Sequence, residues 1–574
     1  MAFSDNSPAP GKIAQATRTA THALRKRGFM AGEYRPRCAV GQKTATDGAA
    51  GSSSVRVPHA GVLLAIPVLV GSGVLQVARE SYGSIGPAFY GLRTTLLALL
   101  LMALLRLKRP EALKEHPPED LGRVLGLDRA PEVKTLRRKL SRLATLGQAA
   151  AFGRALAARR VAARGAALGL LYVDGHVRVD HGQQPLPKAH LARMRLSMPA
   201  TSDSWVNDAA GDPLFVVTAE ANAGLVRILP LVLAEVRAVI GERRLTVVFD
   251  RGGWSPRLLQ RLVAEGFDLL TYRKGRSRPI PRTHFQTQTA VIEGRHVTYT
   301  LADRGVALLG GRLRLRQVTR LSPDGHQTPI ITSRRDLTAT EVAFRMFERW
   351  RQESFFKYLR EEHALDALVE YAVEPDDPAR NVPDPARRAI ETKLHEARAE
   401  LLRLQAAYGQ AAAANPETRR PTMRGFKIAH GRLGQEMRAA RTKVSQLEAQ
   451  RAHTPARVPV GEAVGGPVVR LADERKHLPS LLKMVAYQAE SDLVRLVAQH
   501  YRRTEDEGRT LIQNALAAAA DLQGTDTELR VILAPLSSAH RTRAVAALGD
   551  QVDRTAVALP RTQLRLRYAV AAPR

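Results

Sequence analysis

The sequence predicts a mixed α/β protein: a sheet domain with acidic residues at its strands, set between two regions dominated by helices. Three patterns lead there. Apolar, β-rich runs at 167–179, 191–198, 213–219, 245–250 and 267–272 are interrupted by helical periodicity at about 222–240 and 256–265. Residues 60–160 carry only helical patterns, and residues 386–450 carry apolar side chains at alternating steps of four and three. At 574 residues the chain is also too long for one core, so three or more domains are expected.

In chain order, residues 1–58 are rich in Ser, Thr, Ala, Gly and Arg without apolar periodicity, which predicts a disordered basic tail. A helical domain follows over 59–160. Its apolar run Gly61–Ala78 is interrupted by Pro67, Gly71 and Gly73 and falls short of the roughly 20 residues of a spanning helix. Thr94–Leu105 is purer but shorter, and both runs are read as buried helices of a bundle rather than membrane spans. Glu119–Leu125 then forms a short helix, Gly126, Asp128 and Pro131 a turn, and Glu132–Leu146 a basic helix with Val133, Leu136, Leu140 and Leu143 on one face. That outline fits a helix-turn-helix whose second helix offers Arg137, Arg138 and Lys139 to DNA, and equally an ordinary helix pair of a bundle.

The domain at 161–372 carries the chemistry. Asp174 lies inside a strand, G-L-L-Y-V-D-G-H-V-R-V, and Asp250 closes a short apolar run, L-T-V-V-F-D-R-G-G-W, of the kind buried on both faces. Three antiparallel strands, a crossover helix and a parallel strand would set these two acids on neighbouring strands. A β-rich insertion at about 276–340 separates them from the helical stretch E-R-W-R-Q-E-S-F-F-K-Y-L-R-E-E, where Glu353 sits among Arg349, Arg351, Lys357 and Arg360. Arg349 and Lys357 fall one helical turn either side of Glu353, so ion pairing on a solvated face is the plain alternative to a functional role. Asp180, Asp203, Glu220 and Asp303 are further candidate acids. Beyond 372 a Pro-rich linker leads to a helical hairpin (386–450) and a C-terminal α/β region (470–574).

The basic excess is large: 87 Lys and Arg against 55 Asp and Glu, a net charge of +32. Such a surface favours nucleic acid as partner and binding that weakens steeply with salt. The single cysteine, Cys38, excludes an internal disulfide and a cysteine-cluster zinc site, in keeping with a reducing cytoplasm.

The order strand-Asp, strand-Asp, helix-Glu resembles the DDE transposases, in particular the insertion-sequence-four type. The signature of that type, Tyr, two residues, Arg, three residues, Glu, six residues, Lys, maps onto Met346, Arg349, Glu353 and Arg360. Arg and Glu match, Arg stands for Lys and Met for Tyr. A second block, Asp followed closely by Gly and an aromatic, is matched by Asp250, Gly253 and Trp254. The resemblance covers roughly 160–370. It implies an RNase H-like α/β catalytic core with a β-rich insertion, flanked by a helical N-terminal domain and a mostly helical C-terminal region containing the hairpin. It implies a bacterial insertion-sequence transposase with Asp174, Asp250 and Glu353 as catalytic residues and ligands of two Mg²⁺ or Mn²⁺. Arg349, Lys357 and Arg360, with Arg273 and Lys274 after the fifth strand, would contact DNA. The implied partners are double-stranded DNA, as terminal inverted repeats and target, and a second copy of the chain in the DNA complex; no membrane is implied. A non-catalytic or decayed DNA-binding protein and an RNase H-like nuclease without strand transfer remain as alternatives.

Overall fold

A computed structural model describes residues 54–572 apart from 86–89, 180–185, 187, 192–195, 220–223, 276–277, 366–372, 416–423 and 465. Residues 1–53 of the expected tail, with Cys38, lie outside the described residues, as do Asp180 and Glu220. The chain forms two compact units, one built from the described residues up to Leu146 with those from Val485 on, the other from Gly147–Met484.

The first unit joins the two ends of the chain. Strand β1 (Ser54–Val57) leads into a buried 3-10 turn (Ala60–Ala65) and helices α1 (Ile66–Gly71), α2 (Val74–Tyr82), α3 (Leu92–Leu104), α4 (Pro118–Val124) and α5 (Val133–Thr145). Its other half is supplied by the C-terminal segments described below. Of the run Gly61–Ala78, the part up to Ile66 is buried against strands of this unit's sheet and not in a pure helical bundle, while most of Leu92–Leu104 is buried next to α2. Gly61 shows how close that packing is, because a Cβ there would lie 2.0 Å from the Ala515 carbonyl oxygen. Among the described residues no single helix is long and apolar enough to cross a membrane; Ala60–Gly71 and Val74–Tyr82 meet the criterion only as a pair bent by 61°.

The second unit begins with α6 (Ala149–Arg164), which the sequence grouped with the N-terminal helices but which packs on the sheet domain. Then come β2 (Leu170–Val179), β3 (Lys188–Leu191), β4 (Leu196–Asp208), β5 (Pro213–Ala219), α7 (Leu225–Ile240), β6 (Leu245–Phe249), α8 (Pro256–Ala264) and β7 (Phe267–Tyr272). The insertion is β8 (Gln286–Ile292), β9 (Arg295–Leu308), β10 (Leu313–Leu321) and β11 (Gln327–Thr332), followed by α9 (Ala339–Phe347) and α10 (Trp350–His363). All these strands share one ten-stranded sheet, in the order β3-β4-β2-β6-β7-β11-β10-β9-β8 with β5 on the free side of β4. The insertion is therefore a continuation of the sheet, joined through the antiparallel pair β11 and β7.

Strands β2, β6 and β7 run parallel, and alternation along them divides the core. Leu171, Val173, Val247, Phe249 and Leu269 face α6, α7 and α8. Tyr172, Val248 and Leu270 face the other way, where Ala339, Val342, Ala343 and Met346 of α9 cover them with Val318 and Ile330. Every residue of β6 is buried, which is why it reads as an unbroken apolar run. A capping box, with Thr338 accepting from the Glu341 amide and Glu341 accepting from the Thr338 amide, fixes the start of α9.

The rest of this unit starts with the short strands β12 (Val373–Pro375) and β13 (Asn381–Pro383). The hairpin follows as α11 (Pro385–Ala413), α12 (Arg424–Ala429) and α13 (Gly431–His453). Its apolar seam is the expected one, Leu394 and Ala397 against Val444 and Leu447. Pairs Arg398–Glu448 and Arg451–Glu391 show its antiparallel sense. β14 (Arg457–Pro459), α14 (Val460–Ala463) and β15 (Val469–Leu471) precede the long helix α15 (Asp473–Val497). The first unit is completed by α16 (Thr504–Ala517), β16 (Ala520–Gly524), β17 (Glu528–Leu533), α17 (Ala539–Asp553) and β18 (Arg565–Val570). Its sheet order is β1-β16-β17-β18. Ser54–Val57 is thus a paired strand rather than the end of a tail, and the N- and C-terminal regions form one unit instead of two domains.

Candidate active site

The last registered pair between β2 and β6 is Val173 with Phe249, and between β6 and β7 it is Phe249 with Thr271. The next residue on each strand is Asp174, Asp250 and Tyr272, so these three stand in a row across neighbouring strands about 4.8 Å apart. Alternation turns them to the face that carries Tyr172, Val248 and Leu270, the face covered by α9.

Local contacts hold the two aspartates. Asp174 accepts from the Gly175 amide at 2.9 Å and pairs with Arg349 at 3.3 Å. Asp250 accepts from the Gly252 amide at 2.8 Å, while Thr271 donates its hydroxyl to the Asp250 carbonyl at 3.2 Å. The chain turns tightly here, since a Cβ on Gly253 would lie 2.5 Å from the Phe249 ring. That is a physical reason for glycine at the second-block position.

Helix α10 brings the third acid. Phe355, Phe356 and Leu359 are buried, and Phe355 meets the fully buried Trp205 ring at 5.3 Å. His176 stacks on Phe356 at 5.1 Å. Trp205 is the cross-strand partner of Asp174, so the helix is docked directly beside the acidic row. Glu353 lies in the first turn of α10, exposed, where the helix dipole favours a carboxylate. The ion pairs of the plain alternative, with Arg349 and Lys357, do not form, and among the described residues no cation lies within 4.0 Å of Glu353. Arg349 goes to Asp174 instead.

The electrostatics tie the acids together. Burial pushes the Asp174 carboxyl above its ordinary value, Arg349 pulls it down, and the charges of Asp250 and Glu353 push it up again. A carboxyl with a raised folded-state pKa holds its proton more tightly in the fold. Its ionised form therefore costs stability once pH rises past the ordinary carboxylate range near 4, and the cost is absent below that range. Asp174→Asn is accordingly expected to raise Tm at pH 7 in EDTA, with the gain shrinking toward pH 4. A lower Tm at pH 7 would contradict that account, and thermal melts across pH decide it.

The other candidate acids are engaged elsewhere. Asp203 is buried between Arg178 and Lys476, with its pKa driven far down by them against the cost of burial, and Asp303 pairs with Arg316 at 2.6 Å. Of the expected DNA contacts, Lys357 and Lys274 are exposed, Arg360 is partly buried, and Arg273 donates to Gln317 at 2.7 Å. On α5, Arg138 is exposed and Arg137 is exposed but paired with Glu111 at 2.6 Å. Lys139 is only 5% exposed, so it does not belong to the outward face the sequence assigned it to. Met346, on the side of α9 that packs on the sheet, is wholly buried, which removes that signature position from the surface.

Carboxylate oxygens are the donors that Mg²⁺ and Mn²⁺ take, and the repulsion felt by Asp174 is what a cation would relieve. As the side chains stand, no group of three His, Cys, Asp or Glu residues among the described residues closes on one ion.

The sequence model of the family described as "Transposase protein" matches residues 37–572. The chain belongs to that family. This transposase is also similar to a solved piggyBac transposase in a synaptic complex with hairpin DNA. The similarity covers 80% of this chain and 88% of that one at 10% identity, with a TM-score of 0.26, too low to bear on the arrangement. No curated protein sequence matches it. The family match is to transposases as such, coarser than the insertion-sequence-four type, and it carries no bacterial source. Sequence reasoning named Asp174, Asp250 and Glu353 but not Tyr272, whose place in the row follows only from strand register.

Proposed function

We propose that this transposase is of the DDE type and that Asp174, Asp250 and Glu353 carry its strand cleavage and strand transfer. The observation behind the reading is the pair of aspartates at equivalent positions on the parallel strands β2 and β6, with the charge of Glu353 reaching Asp174. The strand order β5-β4-β2-β6-β7, antiparallel for the first three and parallel for the last three, supports an RNase H-like core. Asp174, Asp250 and Glu353 would hold the divalent cations. Such ions, when bound, stabilise the attacking and leaving oxygens of a phosphodiester displacement.

The chain's own residues then have separable tasks. Arg349 neutralises Asp174 and keeps the crowded acids tolerable. Lys357, Lys274 and Arg360, on the elements around the row, would contact the phosphates of the bound duplex. Arg137 and Arg138 on α5 would add contacts to the element's ends, with Arg137 exchanging Glu111 for phosphate. The substrate is read as the ends of a mobile element flanked by inverted repeats, of insertion-sequence type, brought together by two copies of the chain.

The full chain with Mn²⁺ is expected to nick or linearise a supercoiled plasmid that carries the coding region with its flanks, at the ends of the element, and EDTA should stop it. DNA binding without any cleavage would sink this reading in favour of a non-catalytic binder. Cleavage scattered along the plasmid without joining would favour a nuclease.

A further inference from the structure

Along β10, Arg320 lies two residues beyond the core residue Val318, on the same face and cross-strand from Leu301. Val318 pairs with Ile330 and Ile330 with Tyr272, so the acidic row continues through Tyr272 toward the insertion. The Arg320 guanidinium sits 4.7 Å from the centre of the Phe347 ring and 5.6 Å from that of Tyr299. Tyr272 and Tyr299 flank Phe347 at 6.5 and 5.7 Å. Among the described residues Arg320 has no carboxylate within 4.0 Å and no hydrogen-bond acceptor, and the Tyr272 hydroxyl likewise has no partner. Arg316, Arg334 and Arg345, by contrast, are each paired with a carboxylate.

We infer that Tyr272 and Arg320 form the phosphate-binding edge of the proposed active site, receiving a phosphodiester of the DNA strand lying across Asp174 and Asp250; this rests on the DDE reading above. The physical case has three parts. Aromatic contact fixes the guanidinium plane without consuming its N–H donors, so little ordering entropy is lost when an anion arrives. The position is on the opposite side of Tyr272 from the aspartates, where a positive group can meet a phosphate while the acids meet cations. Burial, chiefly, raises the Tyr272 pKa against the pull of Arg349 and Arg320, so the phenol stays protonated at neutral pH and remains a donor. Both side chains come from rigid strands, one of them in the insertion, which gives the added strands a task in substrate binding.

The test is the salt dependence of duplex binding by the full chain, measured by fluorescence anisotropy without divalent cation. Loss of one phosphate contact lowers the slope of log K against log salt by about 0.9. Arg320→Gln is therefore expected to weaken binding roughly tenfold and reduce the slope by about 0.9, while Arg320→Lys keeps the slope. Tyr272→Phe should weaken binding a few-fold with the slope unchanged, since the lost donor is neutral. A wild-type slope for Arg320→Gln overturns the assignment, whether or not its Tm drops; a lowered Tm with an unchanged slope would mean the arginine only props the aromatic cluster. Asp174→Asn separates this from the parent reading. If that variant still cleaves, the DDE reading fails; if it does not cleave and Arg320→Gln keeps its slope, the phosphate edge alone fails.

Discussion

Asp174→Asn, Asp250→Asn and Glu353→Gln are each expected to lower strand cleavage at least 10³-fold while leaving the duplex dissociation constant within about threefold of wild type. The size follows from how the site is built. Two of the acids stand side by side on adjacent parallel strands, and the charge of the third, on a helix, is felt at Asp174. Each amide keeps the shape and removes one negative charge, so a divalent cation held there would lose an anionic donor that no neighbouring acid replaces: Asp203 and Asp303 are committed to basic partners. Binding should survive because it draws on many dispersed phosphate contacts of a chain with net charge +32. Gel-based plasmid cleavage and anisotropy on the same preparations check both halves. Substantial cleavage by any one variant removes that residue from the triad. Asp174→Asn is the informative member, since on this account it should be the more thermostable protein and the inactive one.

How much of this was legible beforehand depended on the distance over which the determining contacts act. The β6 run, the parallel step to β7 and the hairpin seam are local or nearly so, and alternation or heptad spacing marks them directly. The adjacency of Asp174 and Asp250 followed from a crossover helix of ordinary length. The pairing of Ser54–Val57 with Ala520–Gly524 did not, because nothing in either short run names a partner more than four hundred residues away. Arg320 was invisible for another reason: in R-L-R-L-R-Q-V-T-R-L it reads as one more outward charge of an exposed strand. Only the path β7-β11-β10 shows that this residue turns to the site face and meets Phe347. Lys139 erred the opposite way, a basic residue in a basic helix whose stem is buried.

The second large effect is expected away from the chemistry. Phe355→Ala should destabilise the sheet-containing unit by about 3–5 kcal/mol and abolish cleavage even at temperatures where the variant stays folded. Phe355 is 1% exposed and packs on Trp205, itself fully buried and paired across the strands with Asp174. Truncation leaves a ring-sized void between α10 and the sheet that Phe356 and His176, already stacked on each other, are poorly placed to fill. Glu353 precedes Phe355 by two residues, so any tilt of α10 moves the third carboxylate relative to the fixed row on the strands, and a displacement on the order of 1 Å is enough to cost about 10²-fold. Phe355→Leu supplies the control: it should lose far less stability and recover part of the cleavage, since the helix keeps an apolar anchor of similar reach. Chemical denaturation and cleavage assays at low temperature separate the two contributions. If Phe355→Ala melted like wild type, the dock of α10 on Trp205 would not be what places Glu353, and polar contacts such as those of Arg351 with Glu348, Glu293 and the Ala209 carbonyl would have to hold the helix.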